Sequence, residues 1–285
     1  MQKIDIVAKD GAIVKAIFYE VDNESKKGVI IICHGFGEHS GAYLEFAEIL
    51  WKAGYASAIL DQRGHGTFPV TPEKFQGQIP QYRCFVDDVL SVAQKVLETA
   101  PDTKLFLYGH SMGGNIAVNT LLQANETQAR QFSCAVFEAP WFGLYKPLDG
   151  LKKSMINFLK IIAPTFTVSS KIDHGELSAD EERSAGYGKD PLYHSRISVR
   201  MLTGIMEACD YALSNAKRLP IPIFLAYADK ETVVCNKTIK KFAENAGDIV
   251  TLKEYKSHHS IHNDESRELF SRDVIEFFDL HQNTR

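Results

Sequence analysis

Apolar runs of strand length recur along the chain, and segments with apolar residues at three-to-four spacing lie between them. Each run is continuously apolar, so its strand must be covered on both faces, as in a parallel sheet between two layers of helices. The repeated order of strand and helix therefore predicts an α/β fold. The predicted strands are residues 29–33, 56–60, 105–108, 134–137 and 221–226, and the predicted helices are residues 42–53, 85–100, 113–124, 237–246 and 266–280.

Two parts of the chain differ from this pattern. Residues 3–9 and 13–20 alternate apolar and polar side chains on either side of the tight-turn dipeptide Asp10-Gly11, which predicts an antiparallel hairpin. Between residues 141 and 218 the alternation of strand and helix breaks, and prolines and glycines separate short helical patterns. We therefore predict a core of residues 1–140 and 219–285 with a helical cap insertion at residues 141–218.

Composition excludes several classes of function. The 285 residues are 45% hydrophobic and 24% charged, as expected of a globular protein with a sizeable core. A net charge of -4 provides no basic field, so nucleic acid is not an expected partner. We expect no signal peptide, because the first ten residues lack a basic segment followed by an apolar one. We expect no membrane-spanning helix, because no apolar run approaches about 18 residues. The five scattered cysteines indicate reduced thiols and a cytoplasmic protein, whereas no pattern predicts the oligomeric state.

The strongest local motif is G-x-S-x-G at residues 109–113, which follows a predicted strand and precedes a predicted helix. In that context the glycines permit the abrupt turn that exposes a nucleophilic serine at the carboxyl end of a strand. Ser111 is therefore the predicted nucleophile. The free N–H of Met112, at the start of the helix, can bind a developing oxyanion.

A second oxyanion donor is offered by the turn His34-Gly35-Phe36-Gly37, which follows another predicted strand. We predict that the N–H of Phe36 is this donor. The alternative is that the glycines only shape a turn between a strand and a helix. The place of the turn, at the carboxyl end of a strand, favours the oxyanion interpretation.

A nucleophilic serine needs a histidine as its base and an acid that orients the histidine. His258, His259 and His262 lie in the loop between a predicted strand at residues 250–255 and the last predicted helix. Asp229 and Glu231 both follow the strand at residues 221–226, and their positions alone do not choose between them. The chain order of serine, acid and histidine is the one that accompanies this serine motif.

Four segments of the chain together resemble the monoacylglycerol lipase and lysophospholipase branch of the α/β hydrolases. They are HGFGEHS at residues 34–40, DQRGHG at 61–66, FVDDV at 85–89 and GHSMGG at 109–114. The similarity extends from about residue 27 to the C-terminus and is weakest in the insertion. It implies the α/β-hydrolase fold, with a mostly parallel sheet, helices on both faces and a cap over the serine. It also implies that the amides of Phe36 and Met112 form the oxyanion hole.

The same resemblance selects among the acids and the histidines. The acid loop of the family reads as an acid, a variable residue and two valines, which here implies Glu231. The histidine position of the family fits His259 better than His258. The chain departs from the family twice: most relatives have aspartate at the acid position, and they often have glutamate where this chain has Ser260.

We therefore predict a serine hydrolase that cleaves carboxylic esters of single-chain lipids, either a lysophospholipid or a monoacylglycerol, through an acyl-enzyme. The predicted triad is Ser111, Glu231 and His259, and no metal or organic cofactor is expected. One alternative is a short-chain or aromatic-acid esterase. Another is an aminopeptidase whose substrate amine pairs with acids of the insertion, such as Glu176 and Asp180. A more distant alternative is a binding protein without catalysis.

One segment of the insertion places an apolar stripe on a single helical face, formed by Leu151, Met155, Phe158, Leu159 and Ile162. Such a face can line an acyl pocket or make a peripheral contact with a membrane. It can also pack the cap onto the core. We favour packing, because an amphipathic helix normally covers its own protein.

Overall fold

The computed structural model describes residues 1–21, 26–67, 76–170, 172 and 174–282. Within them the strands are β1 (Gln2–Val7), β2 (Ile13–Tyr19), β3 (Gly28–Cys33), β4 (Tyr55–Leu60), β5 (Leu105–His110), β6 (Phe132–Glu138), β7 (Thr167–Ser169), β8 (Arg196–Ser198), β9 (Ile223–Ala228) and β10 (Val250–Tyr255). The α-helices are α1 (Leu44–Lys52), α2 (Arg83–Thr99), α3 (Met112–Gln123), α4 (Glu126–Ala129), α5 (Gly150–Ile162), α6 (Glu181–Lys189), α7 (Val199–Asn215), α8 (Asn236–Ala246) and α9 (Arg267–Leu280).

In the described part of the chain, eight strands form one central sheet in the order β1-β2-β4-β3-β5-β6-β9-β10. β2 pairs antiparallel with β1 and with β4, and the other neighbours are parallel. The carboxyl ends of β3, β5, β6 and β9 therefore meet at one edge, where open α/β sheets bind their ligands. The predicted α/β-hydrolase fold, with a mostly parallel sheet and an N-terminal antiparallel hairpin, is confirmed.

The two faces of the sheet belong to separate apolar layers. Val29, Ile31 and Cys33 of β3 pack in the layer that includes residues of α2, α3 and α7. Ile30 and Ile32 of the same strand pack in the layer that includes residues of α1 and α9. Because successive side chains of a strand point to opposite faces, both sets must be apolar. This double coverage explains the continuously apolar run at residues 29–33.

The predicted core elements all form, and their ends lie within two residues of the predicted ones. The largest displacement of a whole strand is at β9, which was predicted at residues 221–226 and runs from Ile223 to Ala228. Pro222 explains this shift, because proline has no N–H to donate to a neighbouring strand. The shift brings the end of β9 closer to the acidic residues Asp229 and Glu231.

The insertion contains more regular structure than its sequence indicates. β7 and β8 form a two-stranded antiparallel sheet that was not predicted, because each has three residues and Thr167 pairs with the distant Ser198. At the end of the insertion, α7 packs against α3 and contributes Met201, Ile205 and Cys209 to the apolar core. The predicted interval of 141–218 thus includes a helix that packs into the core, and its boundaries remain a prediction.

Helix α5 exposes the apolar face that we expected it to bury. Leu151 is 83% exposed and Phe158 is 60% exposed, and Met155 and Ile162 are also exposed. Of the predicted face, only Leu159 is half-buried. The prediction that this face packs onto the core is wrong, because the main neighbour of α5 is the single helix α7 and not the sheet.

Within the described residues, no helix is both long enough and apolar enough to cross a membrane. The two longest helices, α2 and α7, have 17 residues each. A spanning helix needs about 20 predominantly apolar residues.

The five cysteines are free thiols. Cys33, Cys84, Cys134 and Cys209 are buried, and Cys235 is half-buried. Burial raises the pKa of Cys209 to about 12, so this thiol stays protonated at neutral pH.

Candidate active site

Ser111 occupies a sharp turn between the end of β5 and the start of α3. Its backbone has φ 52° and ψ −116°, and a positive φ is uncommon for a residue other than glycine. Such a conformation costs about 1–3 kcal/mol and persists only where the surroundings impose it. Here the Ser111 N–H donates to the carbonyl of Glu138 at 2.9 Å, and the Ser111 carbonyl accepts from Asn115 N–H at 3.1 Å and Trp141 N–H at 2.9 Å.

The glycine that follows this turn is required by its neighbours. A Cβ at Gly113 would lie 2.0 Å from the carbonyl oxygen of Cys33, at the end of β3. No side chain can occupy that space, so the start of α3 can approach β3 only if residue 113 is glycine. The G-x-S-x-G spacing therefore reflects close packing of backbone against backbone.

His259 and Glu231 form a buried hydrogen-bonded pair. His259 Nδ1 lies 2.7 Å from Glu231 Oε2, and the two residues are 2% and 5% exposed. The other carboxylate oxygen, Oε1, accepts from the N–H groups of Val233 at 2.7 Å and Val234 at 3.1 Å. Both oxygens of Glu231 thus have partners, as a buried carboxylate requires.

The electrostatics of this pair favour its charged form. Burial alone would lower the pKa of His259, but the adjoining Glu231 carboxylate outweighs burial and raises that pKa above its usual value. Burial alone would raise the pKa of Glu231, but His259 and the two backbone N–H groups lower it. The arrangement can therefore stabilise an imidazolium at His259.

The alternative acid and the alternative histidine have other partners. Asp229 is exposed, and its Oδ1 accepts from Ser257 N–H at 2.9 Å. His258 Nδ1 lies 3.1 Å from Asp264 Oδ2, which also accepts from the His258 N–H at 2.6 Å. The structure thus brings Glu231 to His259. Asp229 and His258 instead make hydrogen bonds to the loop that contains His259, Asp229 to Ser257 N–H and His258 to Asp264.

The turn that contains Phe36 is held by hydrogen bonds to the buried side chain of Glu38. Glu38 Oε2 accepts from Gly35 N–H at 2.6 Å and from the Tyr43 hydroxyl at 2.7 Å. A Cβ at Gly37, whose φ is 76°, would lie 2.1 Å from the carbonyl of His194 in the insertion, so the insertion packs directly on this turn. No hydrogen bond from Phe36 N–H to any described residue is present, which leaves this donor for a ligand.

The second predicted oxyanion donor, Met112, is the first residue of α3, where backbone N–H groups have no acceptor within the helix. Its side chain is buried in the apolar core. Phe36 is among the residues that line the adjoining cavity, whereas Met112 is not.

A cavity of about 420 Å³ adjoins these groups, and both Ser111 and His259 line it. The core supplies part of its wall, and the insertion supplies the rest. Its apolar lining residues include Phe36, Trp141, Leu144, Ile172, Leu177, Val233 and Val234. Its polar lining residues include Tyr187, Lys189, Asp190, Tyr193, His194 and Ser195.

A second group of ionisable side chains lies behind the serine. His110, Glu138 and His262 are buried and place one potential ligand atom each within 4.8 Å of one another, a spacing that can suit a metal ion. However, His262 Nδ1 already contacts both oxygens of Glu138, at 3.0 and 2.9 Å. Because Glu138 and His262 satisfy each other directly, and His110 Nδ1 lies 2.9 Å from the Tyr43 hydroxyl, this donor set fits an acid–histidine pair better than a metal site.

Several residues of the site were not predicted from the sequence. Glu138 is the last residue of β6, and Glu38 lies in the loop after β3, so a place at the carboxyl end of a strand is the signal by which both are recognisable. Tyr187 and His194 line the cavity from the insertion, and no local pattern indicates this. Their placement depends on how the insertion folds over the sheet.

Comparisons with known proteins identify the family of the chain. A family model described as "Serine aminopeptidase, S33" matches residues 24–266. An uncharacterized abhydrolase domain-containing protein of Dictyostelium discoideum is 28% identical over 254 residues, which are 87% of this chain and 26% of that protein. A putative monoglyceride lipase of Schizosaccharomyces pombe is 26% identical over 247 residues, which are 85% of this chain and 64% of that protein. The chain thus spans about a quarter of the length of the first relative and less than two thirds of the length of the second.

The fold has a similar solved structure. A soluble variant of monoglyceride lipase from Saccharomyces cerevisiae, in complex with a substrate analog, aligns with a TM-score of 0.85 and 24% identity, over 98% of this chain and 94% of that one. This likeness shows the fold. Since the family model covers most of the sequence, the chain belongs to the α/β-hydrolase family described as serine aminopeptidase, S33.

Proposed function

We propose that this chain is a serine hydrolase that cleaves the carboxylic ester of single-chain lipids, a monoacylglycerol or a lysophospholipid. The observation that best supports this proposal is the common cavity of Ser111 and His259, with His259 paired to the buried Glu231. A serine in a strained turn, a histidine and an orienting carboxylate are the groups that acyl transfer requires. The serine follows β5, the histidine lies in the loop after β10, and the carboxylate lies in the loop after β9.

In this mechanism Ser111 attacks the ester carbonyl while His259 accepts its proton at Nε2, because Nδ1 is occupied by Glu231. Glu231 orients the ring and stabilises the imidazolium. His259 then gives the proton to the departing alcohol, which leaves an acyl group on Ser111. Water, deprotonated by the same histidine, releases the acid.

The negative charge that develops on the carbonyl oxygen needs donors that are already in place. We assign this role to the N–H groups of Phe36 and Met112. Two features support the assignment: Phe36 N–H has no partner among the described residues, and Met112 N–H opens α3. The helix N-terminus adds a favourable partial positive charge.

The cavity supports a lipid ester as substrate. Its apolar wall, which includes Trp141, Leu144 and Val233, suits an acyl chain, and its polar residues Tyr187 and His194 suit a glycerol or another polar head group. The name of the relative from Schizosaccharomyces pombe, a putative monoglyceride lipase, points to the same substrate class.

The exposed face of α5 supports a peripheral contact with lipid. Leu151, Met155, Phe158 and Ile162 are exposed on this helix, which also includes Lys152 and other lysines. An amphipathic helix with apolar and basic side chains binds at the interface of membranes that contain anionic lipids. We propose that α5 brings the cavity to its substrate in this way.

An aminopeptidase is the second candidate, and it is favoured by the description of the family. It would need an acid in the cavity for the substrate amine. Among the described residues, the acids that line the cavity are Glu38 and Asp190. Glu38 is buried and accepts from Gly35 N–H, and Asp190 lies 3.0 Å from His39 Nε2. Because each carboxylate already has a partner within the protein, neither is a free binding group for a substrate amine.

A chain-length series tests the proposal. We expect fluorophosphonate to label Ser111, and we expect kcat/KM to rise several-fold as the acyl chain of a monoacylglycerol lengthens from acetyl, since each buried CH₂ contributes about 0.8 kcal/mol. Lysophosphatidylcholine of equal chain length then compares the head groups. A steady fall from acetyl onward would indicate a short-chain esterase, and faster cleavage of an aminoacyl amide would indicate a peptidase.

A further inference from the structure

A second acid–histidine pair lies directly behind the first. Glu138, the last residue of β6, is fully buried, and His262 is 8% exposed. His262 donates its backbone N–H to Glu138 Oε1 at 3.0 Å, and its ring Nδ1 lies 2.9 Å from Oε2. The Tyr108 hydroxyl also donates to this carboxylate. Four contacts to one carboxylate make Glu138 a rigid point in the fold.

Glu138 contacts the turn of the proposed nucleophile, Ser111, and the loop of the proposed base, His259. Its backbone carbonyl accepts from Ser111 N–H at 2.9 Å, on the turn that exposes the nucleophile. Its carboxylate binds His262, three positions after His259 in the same loop. One residue therefore connects the backbone of the nucleophile to the loop of the base.

The same cluster extends to the turn of the proposed oxyanion donor. The His262 ring stacks on Tyr43, with ring centroids 4.8 Å apart. The Tyr43 hydroxyl donates to Glu38 at 2.7 Å, and Glu38 accepts from the N–H of Gly35, which precedes Phe36. The contacts from Glu138 thus reach the serine, the histidine loop and the Phe36 turn.

We infer that Glu138 is a positioning residue, which acts through His262 to keep His259 in register with Ser111. This inference rests on the proposed function, because it assumes that Ser111 and His259 react together. It assigns no contact with substrate to Glu138.

The charges of the pair agree with this role. Although burial alone would raise the pKa of Glu138, His262 and His110 lower it to about 2, so the carboxylate is ionised at neutral pH. Burial alone would lower the pKa of His262, but Glu138 and Glu38 raise it. A charged hydrogen bond between buried groups is stronger and more directional than a neutral one.

The test compares Glu138→Ala and Glu138→Gln with the unaltered chain on a soluble ester, p-nitrophenyl butyrate. Reactive sites are counted by complete labelling of Ser111 with fluorophosphonate, so that kcat refers only to folded, reactive protein. We expect Glu138→Ala to lower kcat and the rate of labelling together, by about 10- to 100-fold, because small misplacements of reacting groups are costly. KM should change by less than about two-fold. Glu138→Gln keeps an acceptor for the His262 N–H and should lose less.

Asp273→Asn is the matched control. Asp273 on α9 is a largely buried carboxylate that also accepts from a tyrosine, Tyr255, at 2.6 Å, and from Lys253 at 2.6 Å. Its loss should lower the thermal midpoint and leave kcat per labelled site unchanged. An equal loss of kcat in Asp273→Asn would show that the effect follows stability, and it would overturn the inference.

Wild-type kcat per labelled site in Glu138→Ala would also overturn the inference, however much stability is lost. Should Glu138→Ala fail to fold, His262→Asn removes the other partner, and wild-type kcat in that variant would overturn the inference in the same way. If the unaltered chain neither reacts with fluorophosphonate nor hydrolyses the ester, the proposed function itself fails. The two failures are therefore distinguishable.

Discussion

The carboxyl edge of the sheet and helix α5 of the insertion are opposite in their use of side chains. At the sheet edge, ionisable groups such as Glu231, Glu138 and His262 are buried and hydrogen-bonded. On α5, apolar side chains such as Leu151 and Phe158 are exposed. Each region thus contains residues that its environment disfavours. The sheet edge has charged groups in the interior, and α5 has apolar side chains in water.

The difference shows what each region contributes. Buried charges are tolerated only when rigid partners satisfy them, so the sheet edge must be preorganised before substrate arrives. Exposed apolar residues gain no stability from their own protein, and they become favourable only against another apolar surface. Substitutions at the sheet edge should therefore affect every ester, and substitutions on α5 should affect only substrate held in a lipid surface.

The largest expected effect tests the sheet edge. Ser111→Ala should lower kcat on the order of 10⁴-fold or more and leave the fold intact, because it removes the nucleophile and little packing. His259→Ala should have a similar effect. The measurement is kcat on a soluble ester, with circular dichroism as the check of folding.

His258→Ala is the matched control, since His258 contacts Asp264 and lies next to His259 in the sequence. It should retain most of the activity. An inactive His258→Ala beside an active His259→Ala would show that the base has been assigned to the wrong register of this loop.

The next effect separates the two acids. Glu231→Gln should lower kcat by up to about 10⁴-fold, because the amide can favour the wrong tautomer of His259. It should also move the acid limb of kcat/KM to lower pH. Glu231 raises the pKa of His259, and the base is active only when neutral, so removing that charge lets His259 lose its proton at lower pH.

Asp229→Asn is the comparison variant, because the Asp229 side chain is exposed and accepts from the backbone N–H of Ser257. Its activity should stay near normal, with the acid limb unmoved. A normal Glu231→Gln together with an impaired Asp229→Asn would transfer the orienting role to Asp229.

The smallest effect tests α5. The double substitution Met155→Ser and Phe158→Ser should lower activity on monoacylglycerol in anionic vesicles by about three- to ten-fold, through the loss of apolar contact with the bilayer. Activity on soluble p-nitrophenyl acetate should not change, since neither residue lines the cavity.

Leu280→Ser is the control for α5, because Leu280 is 74% exposed at the end of α9. It should leave activity on vesicles unaffected. Equal losses in the two variants, or a loss on the soluble ester, would contradict the proposed role of α5.

The core could be predicted from local patterns, and the insertion could not. Residues 29–33 are apolar on both strand faces because two helical layers cover them. The apolar run by itself therefore predicts a strand that is buried on both faces. β7 and β8 have three residues each and pair across the insertion, which leaves no local trace. The face of α5 has the pattern of a packed helix, and only its position beside α7 leaves that face exposed.

The sequence by itself determined the α/β class, because strand, helix and turn preferences act over a few residues, and the resemblance of four of its segments to a known family implied the α/β-hydrolase fold. It also identified Ser111 as the candidate nucleophile, since its strained turn needs neighbouring glycines. The family resemblance implied Glu231, whereas residue positions alone left Asp229 and Glu231 open, and the tertiary structure brings Glu231 into contact with His259. Only the tertiary structure decided that Glu138 pairs with His262. These pairs join residues 28 and 124 positions apart, and such distances are set by how the strands align in the sheet.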